Sequence, residues 1–167
     1  MRLLLIFTAM LGFLFHSSHA ALEMNDTIPA VNSTDQNGEA VDLAAIGAEG
    51  YLLVYFYPKA DTPGCTKQAC SLRDAYAEVQ DKGIKVVGVS MDSAEAQKKF
   101  AKKYRLPFTL LADESAEVVN AFGVPKMGKF PSRQAFLFQN GKLIWKDEKA
   151  STAKQAEDVL KVVAERS

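Results

Sequence analysis

The chain has 167 residues, of which 48% are hydrophobic, and its 20 basic and 20 acidic residues give a formal net charge of zero. The balanced charge excludes the basic surface expected of a nucleic-acid-binding domain, and the hydrophobic content excludes an acidic disordered chain. Two cysteines are too few for a multi-bridge disulfide framework, so the composition indicates one ordinary globular domain with room for a targeting segment.

The N-terminal residues 1–20 have the three-part pattern of a secretory signal peptide. Arg2 is followed by an apolar run over 3–15 and a polar patch, and Ser18 and Ala20 are the small residues that a cleavage site requires. The apolar run is short for a membrane span, although a retained anchor helix is the alternative. We therefore expect an exported protein, in a bacterial periplasm, with no stable membrane association after cleavage.

Cleavage changes the chemistry that the chain can perform. Both histidines, His16 and His19, fall inside the signal peptide, so the domain predicted over 21–167 contains none, and its net charge is −1. Without histidine, Ser-His-Asp and Cys-His catalysis are excluded, and so are histidine-ligated metal sites. The cysteines and the carboxylates are the remaining candidates, and we expect no cofactor.

The domain alternates strand-like and helix-like segments. In chain order, the patterns first predict an irregular leader over 21–33, a hairpin over 34–42 around Asn37-Gly38, a strand over 51–57 and a helix over 65–80. They next predict a strand over 85–90, a helix from Ser93 to Tyr104, a strand over 108–111 and a helix over 115–122. Two strands over 134–139 and 142–146 around Asn140-Gly141 and a last helix capped by Thr152 complete the domain. This order predicts an α/β thioredoxin-like fold with a mixed central sheet, because a two-residue turn makes the last two strands antiparallel.

The segment PKADTPGCTKQAC, over 58–70, joins a buried strand to a helix. Thr62 is a good N-cap residue, and Pro63 suits the first helical position, where its missing N–H costs nothing. Cys65 then lies in the first turn, where free N–H groups and the helix dipole favour an anion. A thiolate is such an anion, so Cys65 is a nucleophile candidate.

The spacing of Cys65 and Cys70 bears on how the two cysteines react. On a continuous helix, five residues separate their Cα atoms by roughly 8.6 Å, whereas a disulfide needs them within about 7 Å. The bond therefore requires the helix to unwind locally. This favours a redox-active pair over a static structural disulfide, which is the alternative.

The stretch YFYPKADTPGCTKQACSLRD, over 55–74, resembles the active-site region of the peroxiredoxin Q group, also called bacterioferritin comigratory proteins. Further matches are VVGVSMD, FTLLAD, FGV and RQAFLF, so the resemblance covers nearly all of the predicted domain. It implies a monomeric thiol peroxidase that reduces hydrogen peroxide and organic hydroperoxides and is recycled by a thioredoxin-like donor.

The resemblance also implies residue roles. Cys65 would be the peroxidatic cysteine and Cys70 the resolving cysteine, and the two would form an intramolecular disulfide. Thr62 would hydrogen-bond the thiolate and the peroxide, and Pro58 would shield the pocket. Arg133 would stabilise the thiolate and the charge that develops on the oxygens.

The chain departs from the group in two places. Ala135 stands two residues after the arginine, where the group usually has Thr or Ser, and this weakens the expected support for Arg133. A histidine common near the start of the last helix is absent, with Gln155 in that region. Neither change removes a catalytic group.

The alternative function is that of an exported thiol-disulfide oxidoreductase that acts on protein disulfides. Such enzymes usually carry Cys-x-x-Cys at a helix N-terminus, and this chain does not. A binding module would leave the capped cysteine without a purpose. The sequence therefore favours the peroxidase.

Overall fold

The computed structural model describes residues 20–166. The predicted signal peptide, with His16 and His19, lies outside the described residues except for Ala20, so its prediction stays a prediction. Among the helices of residues 20–166, none is both long and apolar enough to cross a membrane.

The order of elements follows the predicted alternation. The strands are β1 (Asn32–Thr34), β2 (Ala40–Asp42), β3 (Tyr51–Phe56), β4 (Ile84–Ser90), β5 (Thr109–Ala112), β6 (Lys126–Met127), β7 (Phe130–Pro131), β8 (Gln134–Gln139) and β9 (Lys142–Asp147). The helices are α1 (Leu43–Ile46), α2 (Pro63–Asp74), α3 (Tyr76–Asp81), α4 (Ala94–Tyr104), α5 (Glu117–Ala121) and α6 (Gln155–Ala164).

The central sheet is mixed, as predicted. Its five strands lie in the order β5-β4-β3-β8-β9. β3 and β4 are parallel, as are β4 and β5, whereas β8 is antiparallel to both β3 and β9. β3 occupies the centre, and its uncharged run is buried from residue 52 onward, because helices cover both faces of the sheet.

Alternate residues of β3 point into two separate cores. Tyr55 lies in the core that the cysteine-bearing α2 shares with α3, α4 and α6, whereas Phe56 lies in the core under α1 and α5. The second core is built around a group of aromatic rings, in which Phe56, Phe122 and Phe136 are mutual neighbours. The predicted sheet flanked by helices, with a small N-terminal β1–β2 hairpin, is therefore confirmed.

Three local predictions are wrong. The helix predicted over 65–80 is two helices, because the chain leaves helical geometry at Ala75 and the Tyr76 ring then packs against Phe108. Thr152 is not the cap of α6, which begins at Gln155. The preceding turn is instead closed by the Ser151 hydroxyl, which accepts hydrogen bonds from two backbone N–H groups.

The third error concerns the turn between β1 and β2. The Asn37-Gly38 signal predicts a two-residue turn, but the loop runs from Asp35 to Glu39. The Asp35 carboxylate accepts from the backbone N–H groups of Asn37 and Glu39, and of the two central residues only Gly38 has a positive φ. The aspartate therefore organises a longer loop.

Candidate active site

The topology of the sheet brings Cys65 and Arg133 together. Cys65 is the third residue of α2, just beyond the end of β3, and its side chain is buried. Arg133 immediately precedes β8, and the antiparallel register pairs Phe56 at the end of β3 with Gln134 at the start of β8. The Nη2 group of Arg133 donates a hydrogen bond to Cys65 Sγ at 3.3 Å. A fixed cation therefore faces the sulfur that the sequence marks as the nucleophile.

The second arm of the guanidinium binds an amide on the same helix. Nη1 of Arg133 donates to Oε1 of Gln68, and Nε2 of Gln68 donates to Oε1 of Gln155 at 2.9 Å. Both glutamine side chains are fully buried. Arg133 thus contacts the nucleophile and an internal polar chain at the same time, which fixes the plane of its guanidinium.

Gly64 lets the guanidinium come this close to the first turn of α2. A Cβ atom added at Gly64 would lie 3.2 Å from Nη2 of Arg133 and 3.6 Å from Cγ2 of Thr152. The first distance is shorter than ordinary van der Waals contact. A side chain at this position would therefore displace the arginine.

Thr62 occupies the N-cap position of α2, as predicted, but its hydroxyl does not cap the helix. The hydroxyl donates to the carbonyl of Lys59 at 3.0 Å and closes the loop before the helix. Its oxygen retains lone pairs that can accept a hydrogen bond from a peroxide. Pro58 opens the same loop and is half-buried.

Two acidic residues hold this loop in place. Oδ2 of Asp92, just after β4, accepts from the backbone N–H of Ala60 and from the Ser90 hydroxyl, each at 2.7 Å. Asp61 has a left-handed backbone with φ of 57°, and its carboxylate binds Lys103 and Tyr104 of α4. Asp113, which follows β5, has a different role and accepts from two N–H groups of α5. Asp92 instead ties the loop down, and only its place at the end of a strand beside β3 hinted at this.

Cys70 lies on the same continuous helix as Cys65, and both thiols are free. Cys65 is buried, whereas Cys70 is half-buried. The predicted helical arrangement of the reduced pair is therefore confirmed, and a bond between the two sulfurs requires α2 to unwind. Arg73, one turn further, is held by Asp74 and the Tyr104 carbonyl, so its guanidinium has a structural role.

Two tyrosines lie in the same core as Cys65: Tyr55 belongs to β3, and Tyr57 follows directly after this strand. The hydroxyl of Tyr57 donates to Gln97, whereas the hydroxyl of Tyr55 has no hydrogen-bond partner. Burial raises the pKa of both hydroxyls well above their usual value of 10.0. Both tyrosines therefore stay protonated, and neither serves as a general base near neutral pH.

The chain is similar to known proteins over most of its length. The model of the AhpC/TSA family matches residues 24–146. A chloroplastic peroxiredoxin Q from Sedum lineare is 44% identical over 129 residues, which cover 75% of this chain and 69% of that protein. A chloroplastic peroxiredoxin Q from Triticum aestivum is 47% identical over 111 residues, covering 65% of this chain and 51% of that protein. The chain thus spans about half to two thirds of the length of these curated relatives.

Two solved structures match over almost their whole length. Peroxidoxin BcpB from Mycobacterium tuberculosis superposes with a TM-score of 0.79 at 31% identity, covering 86% of this chain and 97% of that one. The bacterioferritin comigratory protein of Xanthomonas campestris, described by its alkyl peroxide reduction activity, gives a TM-score of 0.78 at 28% identity, covering 88% of this chain and 98% of that one. These neighbours confirm the predicted thioredoxin-like fold.

One prediction is overturned by the relatives. Export to a bacterial periplasm is wrong, because the curated relatives that the chain matches are chloroplastic proteins. The physical reason for the error is that an apolar N-terminal run with a small-residue cleavage site carries no mark of the compartment around it.

Proposed function

The chain belongs to the AhpC/TSA family, in its peroxiredoxin Q group, and from that premise we propose that it is a thiol peroxidase whose nucleophile is Cys65. The observation that carries the proposal is the hydrogen bond of 3.3 Å from Arg133 to the buried Cys65 sulfur in the first turn of α2. The proposed substrates are hydrogen peroxide and organic hydroperoxides. The proposed catalytic domain is the segment 21–167, acting as a monomer without a cofactor.

In the first step, the Cys65 thiolate attacks one oxygen of the peroxide. A sulfur–oxygen bond forms while the oxygen–oxygen bond breaks, so the sulfur loses two electrons and becomes a sulfenic acid. The leaving oxygen takes up a proton and departs as water or an alcohol. Arg133 stabilises the thiolate beforehand and the charge on the oxygens during the step, while the backbone N–H groups of the first turn add their dipoles.

In the second step, Cys70 resolves the sulfenic acid. The Cys70 thiolate attacks the Cys65 sulfur, a disulfide forms, and the hydroxyl leaves with a proton as water. The step requires α2 to unwind, because on the intact helix the two Cα atoms stand roughly 8.6 Å apart. A dithiol protein of the thioredoxin type then returns two electrons and two protons to the pair.

Thr62 and Pro58 complete the proposed pocket. The Thr62 hydroxyl already donates to Lys59, so the role proposed for its oxygen is to accept a hydrogen bond from the peroxide. Pro58 lacks an N–H and shields the entrance beside the sulfur. Both residues lie in the loop that Asp92 fixes through Ala60.

The test is stopped-flow peroxide reduction by the full chain and its Cys65→Ser and Cys70→Ser variants, with an external dithiol as the electron donor. We expect Cys65→Ser to be inactive, because the nucleophile is gone. Cys70→Ser should complete one rapid turnover and then depend on the external thiol for resolution. Full activity of Cys65→Ser would refute the proposal. Ser71→Ala, on the same helix, is the matched control.

A further inference from the structure

Hydrogen bonds among three polar side chains, two of them fully buried, connect the last helix to the active site. Gln155, the first residue of α6, receives a hydrogen bond from Gln68, which in turn receives one from Arg133. The two glutamines are 87 residues apart in sequence and have no exposed surface. Burying an amide side chain costs free energy unless its polar atoms form hydrogen bonds, so two adjacent buried glutamines indicate a specific role.

The chemistry of arginine fixes the donor-to-acceptor direction of these hydrogen bonds. A guanidinium has only donors, so Gln68 must turn its oxygen toward Arg133 and its NH₂ group toward α6. Gln155 must therefore present its oxygen to Gln68. Its own NH₂ group is then left in the interior, and it is one of two buried side-chain atoms without a hydrogen-bond partner in the described part of the chain.

Gln155 is therefore oriented so that its oxygen accepts a hydrogen bond from Gln68, although this leaves its own NH₂ group without a partner. A general packing role would favour an apolar side chain at this position, with no unpaired group. The orientation makes sense if the oxygen is the functional part of the side chain. Its effect is to hold the Gln68 amide, and the Gln68 amide holds one arm of the guanidinium.

Ala135, two positions after Arg133, gives a second reason why the arginine depends on Gln68 and Gln155. Ala135 is fully buried and has no hydroxyl, so its side chain offers Arg133 no hydrogen bond. The amide chain from α6 supplies the support that such a hydroxyl would give. Because Arg133 also donates to Cys65, a loose Nη1 arm lets the Nη2 arm drift from the sulfur.

We propose that Gln155 is a positioning residue for peroxide reduction, acting through Gln68 on the Arg133 guanidinium that faces Cys65. The inference rests on the proposed peroxidase activity. It predicts an effect on the first chemical step, in which Arg133 stabilises charge. The second step requires α2 to unwind and Gln68 to leave its partners, so it does not depend on the same link.

The test compares three variants of the full chain. Gln155→Met keeps the length of the side chain and removes the acceptor. Gln155→Glu keeps an acceptor oxygen for Gln68 and removes the unpaired donor. Val159→Ala, a deletion at a fully buried position on the same helix, controls for loss of packing. Rapid mixing with hydrogen peroxide measures the rates of sulfenic acid and disulfide formation, and thermal unfolding shows that each variant is folded.

We expect Gln155→Met to slow sulfenic acid formation about fivefold, the factor that one lost neutral hydrogen bond represents. Disulfide formation should not slow, and Gln155→Glu should restore the first step to within about twofold. The inference is overturned if Gln155→Met forms sulfenic acid at the wild-type rate, if Gln155→Glu is equally slow, or if Val159→Ala slows the step as much. A wild-type chain that fails to reduce peroxide would instead refute the proposed function.

Discussion

Replacing Gly64 with alanine should make the protein less active with little change in stability. Gly64 is the second residue of α2 and has no positive φ, so alanine fits the backbone. Glycine in a helix is about 1 kcal/mol less favourable than alanine, and part of this difference applies in the first turn. The added Cβ, however, would lie 3.2 Å from the Nη2 atom of Arg133, which must then move by a few tenths of an ångström.

The size of the activity loss follows from the contact that moves. Nη2 is the atom that donates to Cys65 at 3.3 Å. At an effective dielectric constant of about 20, lengthening this charge pair to about 3.7 Å costs about 0.5 kcal/mol. Distortion of a charge-assisted hydrogen bond, worth about 1.5–3 kcal/mol when complete, adds about 1 kcal/mol. The rate of peroxide reduction should fall roughly tenfold. In the folded state the gain in helix propensity and the weakened Arg133 contact oppose each other, so Tm should change by no more than about 3 °C.

Stopped-flow peroxide reduction and thermal unfolding measure the two effects. Ser71→Ala also raises the helix propensity of α2, without a new Cβ atom, so it should raise Tm and leave the rate unchanged. A double-mutant cycle with Arg133→Lys separates displacement of the arginine from blockage of the pocket, because Gly64→Ala should add little once the guanidinium is gone. A wild-type rate for Gly64→Ala, or full additivity with Arg133→Lys, would refute the reasoning.

Three further predictions concern groups around the site. Arg133→Lys should slow peroxide reduction at least about tenfold in stopped flow, because one ammonium cannot serve Cys65 and Gln68 in the guanidinium's fork geometry; an unchanged rate would contradict this. Tyr55→Phe removes a buried hydroxyl without a partner, so urea unfolding should show a gain of about 1 kcal/mol, and a loss would argue against it. Burial raises the pKa of Asp113 above its usual 3.8, so the folded state holds this proton more tightly. The stability of the wild type relative to Asp113→Asn should therefore fall as the pH rises from 3.8 through the folded pKa, and a constant difference would show that Asp113 titrates normally.

Local chemistry made the nucleophile predictable. Pro63 and the preceding strand placed Cys65 in the first turn of a helix, and the structure has it there. The central strand was equally clear from its uncharged run. Arg133 was different, because nothing in its own neighbourhood marks it, and only the family resemblance pointed to it.

The support for Arg133 could not be read from the sequence. Gln68 and Gln155 lie on separate helices, and each pattern alone reads as a polar residue on an amphipathic helix. Thr62 is a related case. Its hydroxyl could either cap α2 or bind the loop carbonyl of Lys59, and in the structure it donates to the Lys59 carbonyl. The break at Ala75 likewise reflects packing on the core rather than a local stop signal.

Mass spectrometry after a single turnover reads the fate of both cysteines directly. The reduced full chain is mixed with one equivalent of hydrogen peroxide, quenched with an alkylating agent, and digested. We expect the loss of two hydrogen atoms and a peptide in which Cys65 and Cys70 are linked, with Cys70→Ser carrying one added oxygen on Cys65. An unmodified Cys65, with both thiols still open to alkylation after the peroxide is consumed, would contradict the account.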